Sequence, residues 1–274
     1  MKPPRISIVM PSFNQASYIS EAINSILNQE YENLELIVID GGSDDGTGEI
    51  LESYSDRLSY WCSESDGGQA DALNKGFAKA TGDIMGFVNS DDLLGRNSLQ
   101  VISRHLPINK PSWINGFATT IHENSQSDSK SLLEYDTSLF TPPRHIRKHE
   151  ILYGKLIIPQ VSTFWNRLLW QKVGQYVDDC YYAFDYKLWL RFACVTPCRF
   201  VPRVIGILRY HDQSKTGKPD GMTNYLEDVA EISADFCKSM NWPLPSPFLH
   251  WFWTHYTWFK QGGFKHLCGK LFFL

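Results

Sequence analysis

Over the first ninety residues, short apolar runs alternate with stretches in which apolar residues recur every third and fourth position. Ile6-Ser7-Ile8-Val9-Met10 predicts a strand stopped by Pro11. Ile19, Ala22, Ile23, Ile26 and Leu27 fall on one face at helical spacing. Leu34-Glu35-Leu36-Ile37-Val38-Ile39 predicts a second strand, closed by Asp40-Gly41-Gly42. A helix over about 47–54, a strand near 58–62, a helix over about 69–80 and a strand over 84–88 continue the rhythm. This alternation predicts an α/β fold with a mostly parallel sheet flanked by helices, and such sheets bind ligands beyond the carboxyl ends of their strands. After Asp92 the rhythm weakens. A polar loop spans Glu123–Lys130, helical patterns cover 168–173, 184–193 and 225–240, and a strand is expected near 204–209.

The predicted strand ends are polar. The first delivers Pro11-Ser12-Phe13-Asn14, the second Asp40 with Ser43-Asp44-Asp45-Gly46 beyond it, and the strand over 84–88 delivers Asn89-Ser90-Asp91-Asp92. Loop chemistry alone accounts for any one of them, but three consecutive ones mark a ligand edge. Between Pro11 and Asp56 there are ten Asp or Glu and no Lys or Arg. G-x-x-x-x-G-K-[ST] is absent, as is a G-x-G-x-x-G after the first strand. A diphosphate beside these carboxylates then calls for a bridging Mg²⁺ or Mn²⁺.

Composition narrows the field. The chain has 274 residues, with 16 Phe, 13 Tyr and 9 Trp, too many aromatics for a solvated coil. A net charge of −4 excludes general nucleic-acid binding. No apolar run reaches the roughly 18–20 residues of a spanning helix, and the Pro-broken start does not read as a secretory signal. The expected location is cytoplasmic. The six cysteines form no C-x-x-C pair and read as reduced thiols.

Five blocks in order resemble the family 2 glycosyltransferases. They are Pro11-Ser12-Phe13-Asn14 with Ile23-x-Ser25-Ile26-Leu27-x-Gln29; Val38-Ile39-Asp40-Gly41-Gly42-Ser43-x-Asp45-Gly46-Thr47; Gly68-Gln69-Ala70-Asp71-Ala72-Leu73-Asn74-Lys75-Gly76-Phe77 with Gly82-Asp83; Asn89-Ser90-Asp91-Asp92; and Phe184-Asp185-Tyr186-x-Leu188-Trp189-Leu190-Arg191 with Arg209-Tyr210-His211-x-x-Ser214. The resemblance covers about residues 4–215 and implies the GT-A fold. It implies inverting transfer of a sugar from a nucleotide diphosphate donor, with uridine expected, to an acceptor hydroxyl in polysaccharide or glycolipid synthesis. It places Pro11, Phe13, Asn14 and Asp40 at the nucleoside. Asn89-Ser90-Asp91 stands for the D-x-D motif, with Asp91 and His211 toward Mn²⁺ or Mg²⁺ and a neutral amide where the first carboxylate belongs. Asp185 is the implied general base, with Phe184 where the family has Glu. From the residues alone, Asp185 also reads as the N-cap of a helix over 186–193. Asp71 and Lys75 read equally as a surface i,i+4 ion pair or, with Gln69, as donor-binding groups. Arg209 and Lys215 are candidate diphosphate contacts. Gln160, Ser162, Thr163 and Trp165 are expected to line the acceptor groove.

The expected division is a catalytic domain over 1–221, with a nucleotide-sugar half at about 4–110 and an acceptor half at about 111–221. A helical extension follows over 222–274. Two rival classes are a nucleotidyltransferase and an inactive nucleotide-sugar-binding protein. The first wants a basic, Gly-rich loop after strand one, and Pro11–Ala16 has no Gly, Lys or Arg; intact Asp40, Asp91, Asp185 and His211 stand against the second. From Phe236 to Leu274 there is no Asp or Glu, while Lys238, Lys260, Lys265 and Lys270 and twelve aromatics are present. This tail suits packing or a homodimer interface, or an in-plane anchor on an anionic membrane surface that reaches a lipid-linked acceptor. The membrane reading predicts that the full chain sediments with anionic liposomes at low salt and that a chain ending at Asn241 does not; equal sedimentation of the two removes it.

Overall fold

A computed structural model describes residues 2–122, 145–152, 158–211, 213–215, 218 and 220–241. The polar loop expected at Glu123–Lys130 and the tail over 242–274 lie outside the described residues. The elements run β1 (Ile6–Ser12), α1 (Ile19–Leu27), β2 (Leu34–Asp40), α2 (Thr47–Ser53), β3 (Tyr60–Ser63), α3 (Gln69–Lys79), β4 (Ile84–Phe87), β5 (Leu93–Leu94), α4 (Ser98–His105) and β6 (Trp113–His122). There follow β7 (His145–Ile146), α5 (Lys148–Leu152), a 3-10 turn (Gln160–Ser162), β8 (Thr163–Asn166), α6 (Arg167–Lys172), α7 (Phe184–Val195), β9 (Cys198–Tyr210) and α8 (Gly221–Ser239).

The strands join one sheet in the order β3-β2-β1-β4-β8-β6-β9-β5, with β7 added on β9. β3, β2, β1 and β4 are mutually parallel. β8 then pairs antiparallel with both β4 and β6, and β6 runs parallel to β9. Period-two alternation splits the core between the two faces. Ile6, Ile8, Met10, Leu36 and Val38 pack with α1, α2 and α4, whereas Val9, Ile37, Ile39, Met85 and Phe87 pack with α3, α6 and α7. Gly76 lets α3 close on β1, because a Cβ there would stand 2.3 Å from Val9. Trp113, Trp165, Trp189, Phe87 and Phe192 interlock under α7, with ring centroids 5.2–6.5 Å apart.

Three expectations change. Pro11 does not stop β1, which runs on to Ser12 paired with β2. Val9 meets β4 through its carbonyl, which accepts from Val88 N, so Pro11, two residues on, turns its missing N–H to the side where β4 has ended. β9 begins at Cys198 rather than near Val204. A register shift pairs Gly116 with Val201 and Phe117 with Val204, so Pro202 and Arg203 are accommodated in a bulge. The helix expected at 225–240 begins at Gly221, and it packs on α7 through Val229, Ser233 and Cys237. Among the described residues no helix is long and apolar enough to cross a membrane.

A polar lock closes the amino ends of the strands. Buried Glu35 accepts from Thr81 N (2.7 Å), Thr81 Oγ1 (2.9 Å) and Ser7 Oγ, and pairs with Arg5 at 3.2 Å. Burial works against its charge, but these donors and the guanidinium together hold its carboxyl below the usual range. Its stabilisation is therefore full above the unfolded-state value and is lost as pH falls through the lower folded one. Glu35→Gln should cost about 1–3 kcal/mol at pH 7 in urea unfolding. The gap should narrow below about pH 4 as the wild-type carboxyl protonates; a gap independent of pH would contradict the lock.

Candidate active site

The chain leaves β1 toward β2 on one side and returns as β4 on the other, so their carboxyl ends form the switch point of the sheet. Near the end of β1 Pro11 is buried, and just beyond the strand Phe13 stands 61% exposed. Asn14 takes a left-handed backbone (φ 53°), which Asn tolerates better than most residues. Its N–H donates to Ser43 Oγ (2.8 Å) and its Oδ1 accepts from Asp44 N (3.1 Å). Ala16 N donates to Asp45 Oδ2 (2.9 Å), which laces the two loops together. Asp40 is fully buried and accepts from Ser43 N (2.9 Å), Ser43 Oγ (2.5 Å) and Ser63 Oγ (2.6 Å). Ser43 and Ser63 were not among the expected site residues; the signal for Ser63 is its place beside Asp40 in the β2–β3 register.

After β4, Asn89 Oδ1 accepts from Gln69 Nε2 (2.7 Å), and Ser90 is buried. The Asn89 amide donates to Asp92 (3.2 Å), which also accepts from Gln160 Nε2 (2.9 Å) and Arg209 N (3.0 Å). Burial pushes the Asp92 carboxyl well above the usual range and the Asp91 charge adds to the push, against those three donors. Asp92 therefore faces inward and does not replace the carboxylate missing at Asn89. Asp91 Oδ2 lies 3.1 Å from His211 Nε2, across 120 residues of chain. His211 is buried beside Tyr18 (centroids 4.6 Å), and among the described residues its Nδ1 has no hydrogen-bond partner. The tautomer that satisfies the pair has Nε2–H donating to Asp91. Among the described residues no group of three or more His, Cys, Asp or Glu could hold a metal ion. Asp91 and His211 offer one oxygen and one nitrogen donor, which fits a cation that takes its other ligands from diphosphate and water rather than from a protein cage.

The two candidate diphosphate cations are engaged elsewhere. Arg209 reaches Glu21 (2.6 Å) and the Asp91 carbonyl (3.0 Å). Lys215 donates to Tyr181 O (2.9 Å) and lies 4.2 Å from the Tyr181 ring centroid. Lys75 pairs with Glu64 (3.3 Å) as well as with Asp71 (3.4 Å), so the i,i+4 ion pair exists. Asp185 is not an N-cap. Ala183 holds that position, and Asp185 sits in the first turn of α7 with its carboxylate on Tyr186 N (2.7 Å). Burial raises its carboxyl to about 6, against that hydrogen bond and the nearby Lys215 charge. The expected groove lining fails at three positions: Ser162, Thr163 and Trp165 are fully buried. Ser162 and Thr163 accept from the Asn115 amide, and Trp165 belongs to the aromatic core.

A model described as glycosyl transferase family 2 matches residues 7–167 of the chain. The chain belongs to this family. An uncharacterized glycosyltransferase of Rickettsia typhi is 31% identical over 247 residues, which is 86% of this glycosyltransferase and 73% of the relative. Another, from Mycobacterium tuberculosis, is 31% identical over 198 residues, 70% of each chain. The fold is shared with S. aureus TarS 1–349 in complex with UDP-GlcNAc (TM-score 0.63, 16% identity, 85% of this chain and 66% of that one). It is shared also with the mannosyltransferase PcManGT of Pyrobaculum calidifontis in complex with GDP-Man and Mn²⁺ (TM-score 0.62, 20% identity, 90% and 68%). The chain spans 40% of a longer S. aureus TarS chain.

The two neighbouring carboxylates of this glycosyltransferase differ in what rests on them. Asp92→Ala strands Arg209 N and two amides and should cost about 1–3 kcal/mol in denaturant unfolding. Asp91→Ala unpairs one buried group, His211 Nε2, and removes the charge beside Asp92, so it should cost less, about 0.5–1 kcal/mol. Equal losses in the two variants would contradict the division.

Proposed function

We propose that this glycosyltransferase moves a sugar from a UDP-linked donor to an acceptor hydroxyl with inversion at the anomeric carbon, in the synthesis of cell-surface polysaccharide or glycolipid. The observation that carries the reading is Asp185: one carboxyl, held in the first turn of α7, whose proton affinity is raised by burial to about 6. A base with that affinity is largely ionised at pH 7 yet strong enough to accept a proton in a transition state. The family membership and the nucleotide sugars bound by TarS and PcManGT support a nucleotide diphosphate donor.

In this reading residues 4–110 hold the donor and residues 111–221 the acceptor. Phe13 offers an exposed aromatic face to the base, beside Pro11 and Asn14. Asp40 orders Ser43 and Ser63 beneath it, and it reaches the nucleoside by releasing one of those serines. Gln69 holds Asn89 toward the diphosphate, and Asp71 and Lys75 face the donor from the start of α3. Asp91 and His211 would hold Mn²⁺ or Mg²⁺, which when bound supplies positive charge where the diphosphate leaves. Asp185 takes the acceptor hydroxyl proton as that oxygen bonds to the anomeric carbon and the carbon–oxygen bond to the diphosphate breaks. Lys215, beside Asp185, offers a cation to the departing diphosphate once it leaves Tyr181 O. In this reading the basic, aromatic tail from Phe236 to Leu274 meets an anionic inner-membrane surface or the tail of a second copy.

Asp185→Asn keeps the shape and removes the proton acceptor. Its transfer or donor-hydrolysis rate should fall about 10²–10⁴-fold, while calorimetric affinity for the UDP sugar with Mn²⁺ stays at the wild-type value. Wild-type kcat/KM should rise with pH up to about 6 and then level, because the base is protonated below that value. Near wild-type turnover in Asp185→Asn would reduce this residue to a structural role.

A further inference from the structure

We propose that Asn74 is a positioning residue: its side-chain amide ties the segment leading to Asp185 onto α3, and so sets where the base stands relative to the donor. The proposal rests on the reading of Asp185 as the base. Asn74 Nδ2 donates to Val177 O (2.9 Å), and Val177 N donates to Asn74 Oδ1 (2.7 Å). One primary amide thus meets both backbone groups of a residue 103 positions away, as a rung of a β-ladder would. Asn is the shortest side chain that carries a donor and an acceptor in this planar arrangement.

The segment is strapped from its other sides as well. Asp178 pairs with Arg191 (2.7 Å) and Lys187 (2.9 Å) of α7. Arg191 also reaches Tyr176 O (3.0 Å) and lies over the Tyr176 ring (3.9 Å). Asp228 of α8 accepts from Tyr182 N and Cys180 Sγ, both at 3.2 Å. Those straps join the segment to α7, which carries Asp185, and to α8, which packs on α7. α7 itself rests on β4, where Phe184 and Trp189 lie against Phe87 at 5.9 and 6.5 Å between ring centroids. Asn74 adds the hydrogen-bonded tie from the segment to α3. α3 is fixed to the donor loops through the Gly76–Val9 contact and through Gln69 on Asn89. A cleft of about 270 Å³ opens beside the clamp, walled by Gly67, Ala70 and Asp71 from the donor side and by Asp179 from the base side. A displacement of about 1 Å in a reacting group costs on the order of 10²-fold in rate, so a clamp at this place acts on turnover rather than on donor affinity.

The test compares full-length wild type with Asn74→Ala. Hydrogen exchange should show the Val177 amide and the peptide through Asp185 losing at least about tenfold of their protection, with α3 and β1 unchanged. Hydrolysis of UDP-N-acetylglucosamine or GDP-mannose with Mn²⁺, water serving as acceptor, should lose about 10–100-fold in kcat. KM should stay within about twofold, a split that general loss of fold does not produce. Unchanged exchange, unchanged kcat or a rise in KM that accounts for the whole loss each overturns the proposal. Wild type that hydrolyses neither donor overturns the reading of the base, and the proposal with it; an active wild type with an equally active Asn74→Ala overturns the proposal alone.

Discussion

Asp92 draws together three segments that are far apart in the chain. Its carboxylate accepts from Asn89 in the loop after β4, from Gln160 in the turn before β8 and from the Arg209 backbone on β9. The loop after β4, the turn before β8 and the end of β9 meet around this buried carboxyl. Through Arg209 it fixes the end of β9, and His211 two residues on is thereby set against Asp91. Through Asn89 it fixes the amide that Gln69 grips from α3. Its burial is costly, and three donors offset that cost. The sites on either side inherit their geometry from this hub.

Three buried or half-buried carboxyls show how environment divides labour. Glu35, at the amino ends of the strands, is saturated with donors and a guanidinium and is held in its charged form. Asp92 has three donors and the Asp91 charge beside it, and it serves position. Asp185 has the Tyr186 N–H and a nearby lysine, too little to offset its burial, so its proton affinity rises toward neutrality. Glu35 stands near the amino ends of the parallel strands, whereas Asp92 lies beyond the carboxyl end of β4, the edge at which such sheets bind ligands.

The first ninety residues were legible because each strand is a short continuous apolar run and each helix an apolar stripe. Element boundaries from β1 to β4 moved by only a residue or two, and Pro11 misled because its nitrogen, which carries no hydrogen, faces the side where pairing has ended. The later strands were hidden by tertiary compensation. β6 carries Asn115 and Gly116, which interrupt an apolar strand pattern, and only packing shows that Ser162 and Thr163 supply partners for Asn115. β9 carries Pro202 in a bulge that a period-two pattern does not show. Ser162, Thr163 and Trp165 were expected at a groove from their place in the acceptor half; that they are buried is a long-range property of the packing. The family motifs marked the loops of Asp40 and Asp91, but that Asp92 faces inward and Asn74 bridges to Val177 follows only from packing.

One measurement bears most directly on the claim that a single carboxylate drives a one-step displacement at this site. Proton NMR of the sugar released in the first turnovers from a UDP-α-linked donor with Mn²⁺, read before mutarotation, reports the anomer formed. The account predicts the β-anomer in wild type and its loss in Asp185→Asn. Initial release of the α-anomer would mean a second displacement, and would contradict it.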